Sequence, residues 1–239
     1  MELLNSTLYS AVFKRKSTRS YSNEVISGEI TEKLRAFVSE LVPLFPSERA
    51  ALDIQPYKGN AMKIAAYAES DTAAFINLAF MLQQADLFLQ ANGLGALWNA
   101  TIRATEKQKQ GLPYGISLIF GVAKENSVRT DISQFDRKGS EEISNQPKMP
   151  WVEAVRLAPS ARNRQPWYLA CEQGCVDFYC KEGNFFDKTI LKNLHWFDIG
   201  IAVCHAVIAL QMDGLSPVAV IKSEVSEKKG YIYGISLEY

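Results

Sequence analysis

The chain has 239 residues, 47% of them apolar, and its 26 Lys and Arg residues balance 26 Asp and Glu residues. This length can bury one large core or two small ones. The neutral balance gives no overall field that would attract nucleic acid or an anionic membrane. We therefore expect no nucleic-acid partner, and any anion-binding site must be local.

The sequence carries no mark of export, membrane insertion or metal binding. Its first basic residues follow the apolar ones, which is the wrong order for a secretory signal. The longest apolar run, Ile199 to Leu210, is shorter than the roughly 20 residues that span a bilayer. Four cysteines form no CxxC pair, and with two histidines the usual zinc spacings are missing. We expect a cytoplasmic protein with free, buried thiols, no membrane span and no metal site.

The first half of the chain predicts four elements in order. An amphipathic helix runs from about Ile30 to Val42 and is closed by two prolines. A strand-like run (62–69) follows, and then a long apolar helix, roughly 73–92. A β-rich run (116–122) completes the set.

The second half repeats this order. It predicts a helix (150–158), two strand-like runs (168–172 and 176–182), an apolar helix (about 198–213) and a final strand (231–237). The pattern indicates an α+β fold that arose by duplication.

The ends of the two long helices support this interpretation. The segments 89–95 and 210–216 share Leu-Gln, two residues and then Gly-Leu, with the glycine placed as a helix stop. The charged, proline-punctuated stretch 124–150 is interpreted as the connection between the halves. Because both helices are apolar nearly all round, we expect each half to cover the helix of the other in one body of two lobes.

Two segments carry polar chemistry. Residues 14–19 place four cations and two hydroxyls together, which suits an anionic group, although a solvated basic face is an open alternative. Residues 158–167, APSARNRQPW, combine two prolines, amides, cations and a Trp in a stiff, hydrogen-bonding turn. The glycines at 93 and 95 do not form a dinucleotide fingerprint, and no P-loop is present.

These segments resemble motifs of the FMN-dependent nitroreductase superfamily. RKSTRSY (15–21) resembles its Arg-Arg-Ser-x-Arg-x-Phe opening, and APSARNRQPW resembles its more specific Ala-Pro-Ser-x-x-Asn-x-Gln-Pro-Trp segment. GLGALW (93–98) and the pair IFGVAKE and RKGSEEI (137–143) resemble further family segments. In an ordinary member, however, the Ala-Pro-Ser segment follows the opening helix within a few tens of residues, whereas here it lies near residue 160.

The resemblance implies a nitroreductase-like fold built as an internal pseudo-dimer. Residues 1–145 resemble one subunit that lacks its Pro-Ser-x-x-Asn loop, and 150–239 resemble a second, abbreviated subunit that lacks its Arg-Ser-x-Arg loop. In the usual homodimer the two loops reach one flavin from different subunits. The resemblance therefore implies one complete site per chain and allows a monomer.

The resemblance also assigns roles to the basic residues. Arg15 and Ser17 would hold the FMN phosphate and ribityl chain, with Lys16 alongside. Arg19 would lie near the N1 and O2 edge of the flavin, where a cation stabilises the charge of the reduced ring. The basic tail that reaches the phosphate is matched by Arg137 and Lys138.

The turn would supply the other side of the flavin clamp. Its predicted ring contacts are Pro159, Ser160, Ala161 and Asn163, and its predicted supports are Gln165, Pro166 and Trp167. Trp98 and Trp167 are predicted to be core aromatics, and Gly93 and Gly95 a helix stop and a tight turn. We predict that His205 is a buried packing residue, and neither it nor His195 is assigned an acid–base role.

The implied activity is ping-pong transfer. NAD(P)H would bind transiently and pass hydride to flavin N5, and a nitroaromatic or quinone would then receive it, with the cofactor and no side chain carrying the chemistry. Two alternatives stay open: a flavin-binding sensor or carrier without turnover, and a degenerate scaffold that binds no flavin.

Overall fold

The computed structural model describes residues 6–102, 105–126, 128–182 and 194–239. The helices are α1 (Ser6–Val12), α2 (Gly28–Ser39), α3 (Thr72–Ala91), α4 (Ser140–Ile143), α5 (Pro150–Arg156) and α6 (Leu194–Met212). The strands are β1 (Ala50–Pro56), β2 (Met62–Ala68), β3 (Gly95–Asn99), β4 (Gln108–Lys109), β5 (Leu112–Gly121), β6 (Trp167–Glu172), β7 (Cys175–Lys181), β8 (Val218–Val220) and β9 (Tyr231–Glu238). The predicted α+β class is confirmed.

The strongly periodic elements lie where the sequence predicted them. Helix α3 ends as expected before Gly93, whose φ of 75° is the left-handed stop. Helix α2 is shorter than predicted, because the Glu40 amide bonds back to Phe37 and ends the helix there. The strands β1, β3, β4 and β8 were missed, since they are short or lack strict apolar alternation.

The two antiparallel sheets have the same topology. The first has the strand order β1-β2-β5-β3, with β4 on β5, and the second has the order β6-β7-β9-β8. In each half two strands precede the long helix and the remaining strands follow it. The stretch 124–150 is more than a connection, because it contains α4 and a 3-10 turn (Ile132–Gln134).

An identical pentapeptide, YGISL, lies in the third strand of each sheet. It occupies 114–118 in β5 and 233–237 in β9, and in each strand the register shifts at the glycine, which has no partner on the neighbouring strand, as in a β-bulge. In both copies the Tyr hydroxyl hydrogen-bonds the Ser Oγ three residues on, at 2.9 Å in β5 and 2.8 Å in β9. The sheets therefore share a local geometry as well as an order of strands.

Helices α3 and α6 pack against each other at the centre. Gly200 makes the close approach possible, because a Cβ there would lie 2.8 Å from the Ala79 Cβ and against the Ile76 carbonyl. The rings of Phe75 and Phe197 meet nearby, 5.0 Å between centroids. Both helices are long and apolar enough for a membrane span, yet 78% and 83% of their apolar windows are buried within the protein, as is usual for core helices.

A buried polar chain crosses this helix pair. His205 on α6 is fully buried, as predicted; its Nδ1 donates to the Ala154 carbonyl oxygen at 2.8 Å, and Gln83 Nε2 donates to its Nε2 at 3.0 Å. Gln83 Oε1 accepts from the Trp98 indole at 3.2 Å. The neutral imidazole thus has both ring nitrogens satisfied, which explains how a polar residue fits this core.

The neutral state of His205 predicts a loss of stability in acid. Burial lowers the pKa of His205 to about 3, whereas an unfolded-chain histidine titrates near 6.5. Between these values the unfolded state binds more protons, so the free energy of unfolding falls as the pH falls, by up to about 1.4 kcal/mol per pH unit. We expect the free energy of unfolding, measured in urea between about pH 4 and 7, to change less with pH in His205→Asn than in the parent. Equal slopes for the two proteins would contradict this assignment.

Candidate functional site

The basic segment near the amino terminus lies along the edge of the first sheet. The Thr18 amide donates to the Ala96 carbonyl at 2.9 Å, and the Tyr21 hydroxyl donates to the Thr18 carbonyl at 2.9 Å. Gly95 was predicted to form a tight turn, but it lies in β3, where an added Cβ would stand 2.6 Å from the Thr18 Cβ. Its missing side chain lets the basic segment approach the strand.

Arg15 is held inside the protein by an ion pair. It is 1% exposed, and its Nε lies 2.5 Å from Oδ2 of the fully buried Asp86. The Trp98 indole donates to the same oxygen at 3.1 Å. The Arg15 Nη2 also lies 3.5 Å from the Ser17 Oγ. Asp86 therefore fixes the orientation of the Arg15 guanidinium. At this residue the basic segment is buried and does not form a solvated face.

Two further guanidinium groups lie close to Arg15. Arg129 donates through Nη1 to the Arg15 carbonyl, and its amide donates to the Lys14 carbonyl at 2.7 Å. Burial and then the charge of Arg15 lower the pKa of Arg129. Burial, Arg15 and Arg129 lower the pKa of Arg137 to about 10. These cations repel one another, so an anion bound among them would be stabilised. Arg129 was missed because it lies in the stretch interpreted as a connection.

The turn at 158–167 closes on itself in an unusual backbone conformation. Arg162, Asn163 and Gln165 have φ values of 53°, 56° and 47°. Such residues cost roughly 1–2 kcal/mol each and concentrate at functional sites. Ser160 Oγ accepts the Gln165 amide at 2.8 Å, which holds the turn together. Trp167 is buried in the core, as predicted.

The predicted basic tail anchors this turn. Arg137 donates from Nε to the Ala158 carbonyl at 3.1 Å and from Nη1 to Asn163 Oδ1 at 2.8 Å. Lys138 donates from Nζ to the Gln165 carbonyl at 2.8 Å. These contacts explain the amide side chains in the motif, because they fix the turn to the segment before α4.

The basic segment and the turn meet at a cavity of about 200 Å³. Of the predicted residues it is lined by Arg15, Ser17, Arg19, Pro159, Ser160 and Ala161. The lining does not include Lys16, whose Nζ donates to the Asn126 carbonyl at 3.2 Å, nor Asn163, Arg137 or Lys138.

Apolar side chains form the rest of the wall. They come from β3, β5 and α6, namely Leu97, Trp98, Ile116, Phe197 and Ile201. Trp98, which was predicted to be a core aromatic, is half-buried and packs against the core, and it also lines the cavity while its indole N–H donates to Asp86. The cavity thus combines guanidinium groups and hydroxyls with flat apolar surface.

One acidic residue that the sequence reasoning missed also lines the cavity. Asp198 on α6 is 5% exposed, and its Oδ1 accepts the Ala161 amide at 2.8 Å. Burial raises its pKa to about 8, partly offset by that amide and by Arg164. The sequence signal that could have identified Asp198 is a single Asp near the start of an otherwise apolar helix. His195 packs on Trp196, 4.7 Å between centroids, and does not line the cavity.

The chain is an α+β protein with a cavity lined by guanidinium groups, hydroxyls and apolar side chains, and comparison with known proteins places it in a family. Residues 7–210 match the family model described as "Putative TM nitroreductase". The chain belongs to this nitroreductase family, as the resemblance indicated, and is therefore of the oxidoreductase class.

One solved structure has the same fold over the whole chain. A structure from Thermotoga maritima, described as a "putative nitroreductase", has a TM-score of 0.71 at 22% identity. The match covers 100% of this chain and 95% of the Thermotoga chain. A nitroreductase with bound FMN from Desulfitobacterium hafniense has a TM-score of 0.44 at 14% identity, covering 57% of this chain and 100% of its own. No curated protein matches the chain.

Proposed function

We propose that this protein is an FMN-dependent NAD(P)H oxidoreductase that reduces nitroaromatic, quinone or similar small acceptors. One observation carries the proposal: the segment 15–19 and the turn 159–161, far apart in the chain, line the same cavity. Family membership supports the oxidoreductase class. A cytoplasmic location fits an enzyme that draws on NAD(P)H and keeps its thiols reduced.

The residues of the cavity fit FMN. Arg15 lines the cavity, and Arg129 and Arg137 lie near it outside the lining, where burial and the charge of Arg15 lower the pKa of both. A phosphate bound beside these cations would offset their mutual repulsion. The apolar wall suits a flat aromatic ring. When bound, FMN would supply the hydride chemistry, and the side chains would orient it and exclude water.

Individual roles follow from these positions. Arg15 and Ser17 would bind the phosphate and ribityl chain, and Lys16 would add charge nearby. Arg19 would stabilise negative charge at the N1 and O2 edge of the ring. Pro159, Ser160 and Ala161 would lie against the ring. Asn163, Arg137 and Lys138 would act by holding the turn, through the contacts described above.

We also infer that the two halves, 1–145 and 150–239, arose by duplication. The common strand order and the repeated YGISL bulge support this inference. Each half contributes one loop to the cavity, so a chain of this kind would hold one complete site and would need no second copy to complete it.

The test is FMN retention. We expect the purified protein, after addition of FMN and desalting, to hold about one FMN per chain. Arg19→Ala should bind FMN roughly ten- to a hundredfold more weakly, because a charged hydrogen bond contributes about 1.5–3 kcal/mol. Arg19 is exposed, so its loss should not disturb folding. Arg35→Ala removes an equally exposed arginine on α2 and should bind FMN normally.

The alternatives give different outcomes in the same experiment. FMN that is retained but not reduced by NAD(P)H would identify a flavin carrier or sensor. A protein that retains no FMN would contradict the proposal and leave a nitroreductase scaffold without its cofactor.

A further inference from the structure

The cavity contains a carboxyl group that no cation of the described residues pairs with. Asp198 lines the cavity beside Ala161, and its Oδ1 accepts the Ala161 amide at 2.8 Å. Among the described residues that line the cavity it is the one acid; the other polar side chains there are guanidinium groups and hydroxyls. A buried carboxyl placed at a ligand cavity, and not in the core, calls for a functional explanation.

The surroundings of Asp198 favour its neutral form. It is 5% exposed, and burial removes the water that would stabilise a carboxylate. The Ala161 amide and Arg164 offset part of this cost, leaving a pKa of about 8. The charged and titratable groups that interact with it are Arg164 on the turn and Cys180 on β7. Three further guanidinium groups, Arg15, Arg19 and Arg162, line the same cavity. At neutral pH the side chain is therefore largely a carboxylic acid, which can donate a proton.

We propose that Asp198 is a catalytic acid of this cavity, which gives a proton to the carbonyl oxygen of a quinone reduced there. The proposal rests on the proposed function, because it requires the acceptor to be reduced in this cavity. It adds a residue role to a site in which the cofactor was expected to carry all of the chemistry.

The proton balance of the reaction needs such a donor. A quinone becomes a hydroquinone by gaining one hydride, which originates from NAD(P)H, and one proton. The O–H bond of the Asp198 carboxyl breaks, its proton forms an O–H bond on the quinone, and the remaining carboxylate takes a proton from solvent. Arginines cannot fill this role, since their pKa lies above 12 in most settings.

The structure also fixes where the carboxyl group is held. The Ala161 amide ties the carboxyl to the turn that is proposed to lie against the flavin ring. A donor held in place at the reacting group contributes about 10²–10⁴ in rate.

Asp198→Asn tests the role. Asn keeps the shape and an oxygen that can accept the Ala161 amide, but it has no proton to transfer. We expect reoxidation of the NAD(P)H-reduced protein by a quinone to slow by about a hundredfold or more. Reoxidation by ferricyanide, which takes one electron and no proton, should be unchanged. The quinone rate of the parent should fall above about pH 8, and that of the variant should not.

An infrared measurement gives a readout that needs no cofactor. The cofactor-free parent should show the carbonyl band of a protonated carboxyl at about pH 6, where ordinary Asp and Glu are ionised, and should lose it by about pH 10. Asp198→Asn should lack the band at both pH values. If Asp198→Asn does not hold FMN, the infrared band of the parent tests by itself whether Asp198 carries a proton at about pH 6.

Each outcome bears on one proposal or on both. A missing band, or quinone and ferricyanide rates that fall together, would overturn the acid role while FMN binding stands. A parent protein that retains no FMN would overturn the proposed function and with it the acid role, whatever the band shows.

Discussion

Asp86→Ala should lower the free energy of unfolding by about 3–5 kcal/mol, because it leaves the Arg15 guanidinium buried without a counter-ion. Arg15 is 1% exposed and Asp86 is fully buried, so water cannot replace the lost carboxylate. Urea unfolding at neutral pH measures the effect. Asp53→Ala is the matched control: it breaks an Asp–Lys pair whose side chains are 28% and 29% exposed, and should cost at most about 1 kcal/mol.

A double variant separates stability from binding. Arg15→Met with Asp86→Leu replaces the pair by apolar side chains and should recover much of the lost stability, as removal of both partners of a buried pair often does. Because Arg15 lines the cavity, the same protein should fail to retain FMN. Similar losses for the Asp86 and Asp53 variants, or normal FMN retention in the double variant, would contradict this interpretation of the pair.

Gly200→Ala should destabilise the protein by about 1–3 kcal/mol, although alanine favours a helix over glycine by about 0.5–1 kcal/mol at an unconstrained position. The added methyl would stand 2.8 Å from the Ala79 Cβ and against the Ile76 carbonyl of α3. Either the two core helices separate or their side chains leave favourable rotamers, and both responses are costly in a close-packed core.

Thermal unfolding measures this effect as a fall in Tm of roughly 2–12 °C for a chain of this length. Gly28→Ala at the start of α2 is the control, since no other atom lies within 4 Å of its added Cβ. Its Tm should stay close to that of the parent. A Gly200→Ala protein as stable as the parent would show that the helix crossing is looser than described.

The candidate site was predictable in part. The basic segment and the proline-rich turn were recognised because their composition is unlike that of a helix or strand, and both line the cavity. Asn163 was predicted to contact the ring; its side chain does not line the cavity and accepts a hydrogen bond from Arg137. Arg129 and Asp198 were not recognised, because a single Arg in a charged stretch and a single Asp in an apolar helix have no local signature.

The sequence alone determined the long helices, the more regular strands and the residue types of the two loops, because hydrophobic periodicity and turn chemistry act over neighbouring residues. The tertiary structure decided which distant groups meet. Arg15 finds its counter-ion 71 residues away, and the Ala161 amide donates to a carboxyl oxygen 37 residues away. The burial of these positions comes from the packing of α3 against α6, so the burial of Asp198 and the orientation of Arg15 arise only when these two helices pack together.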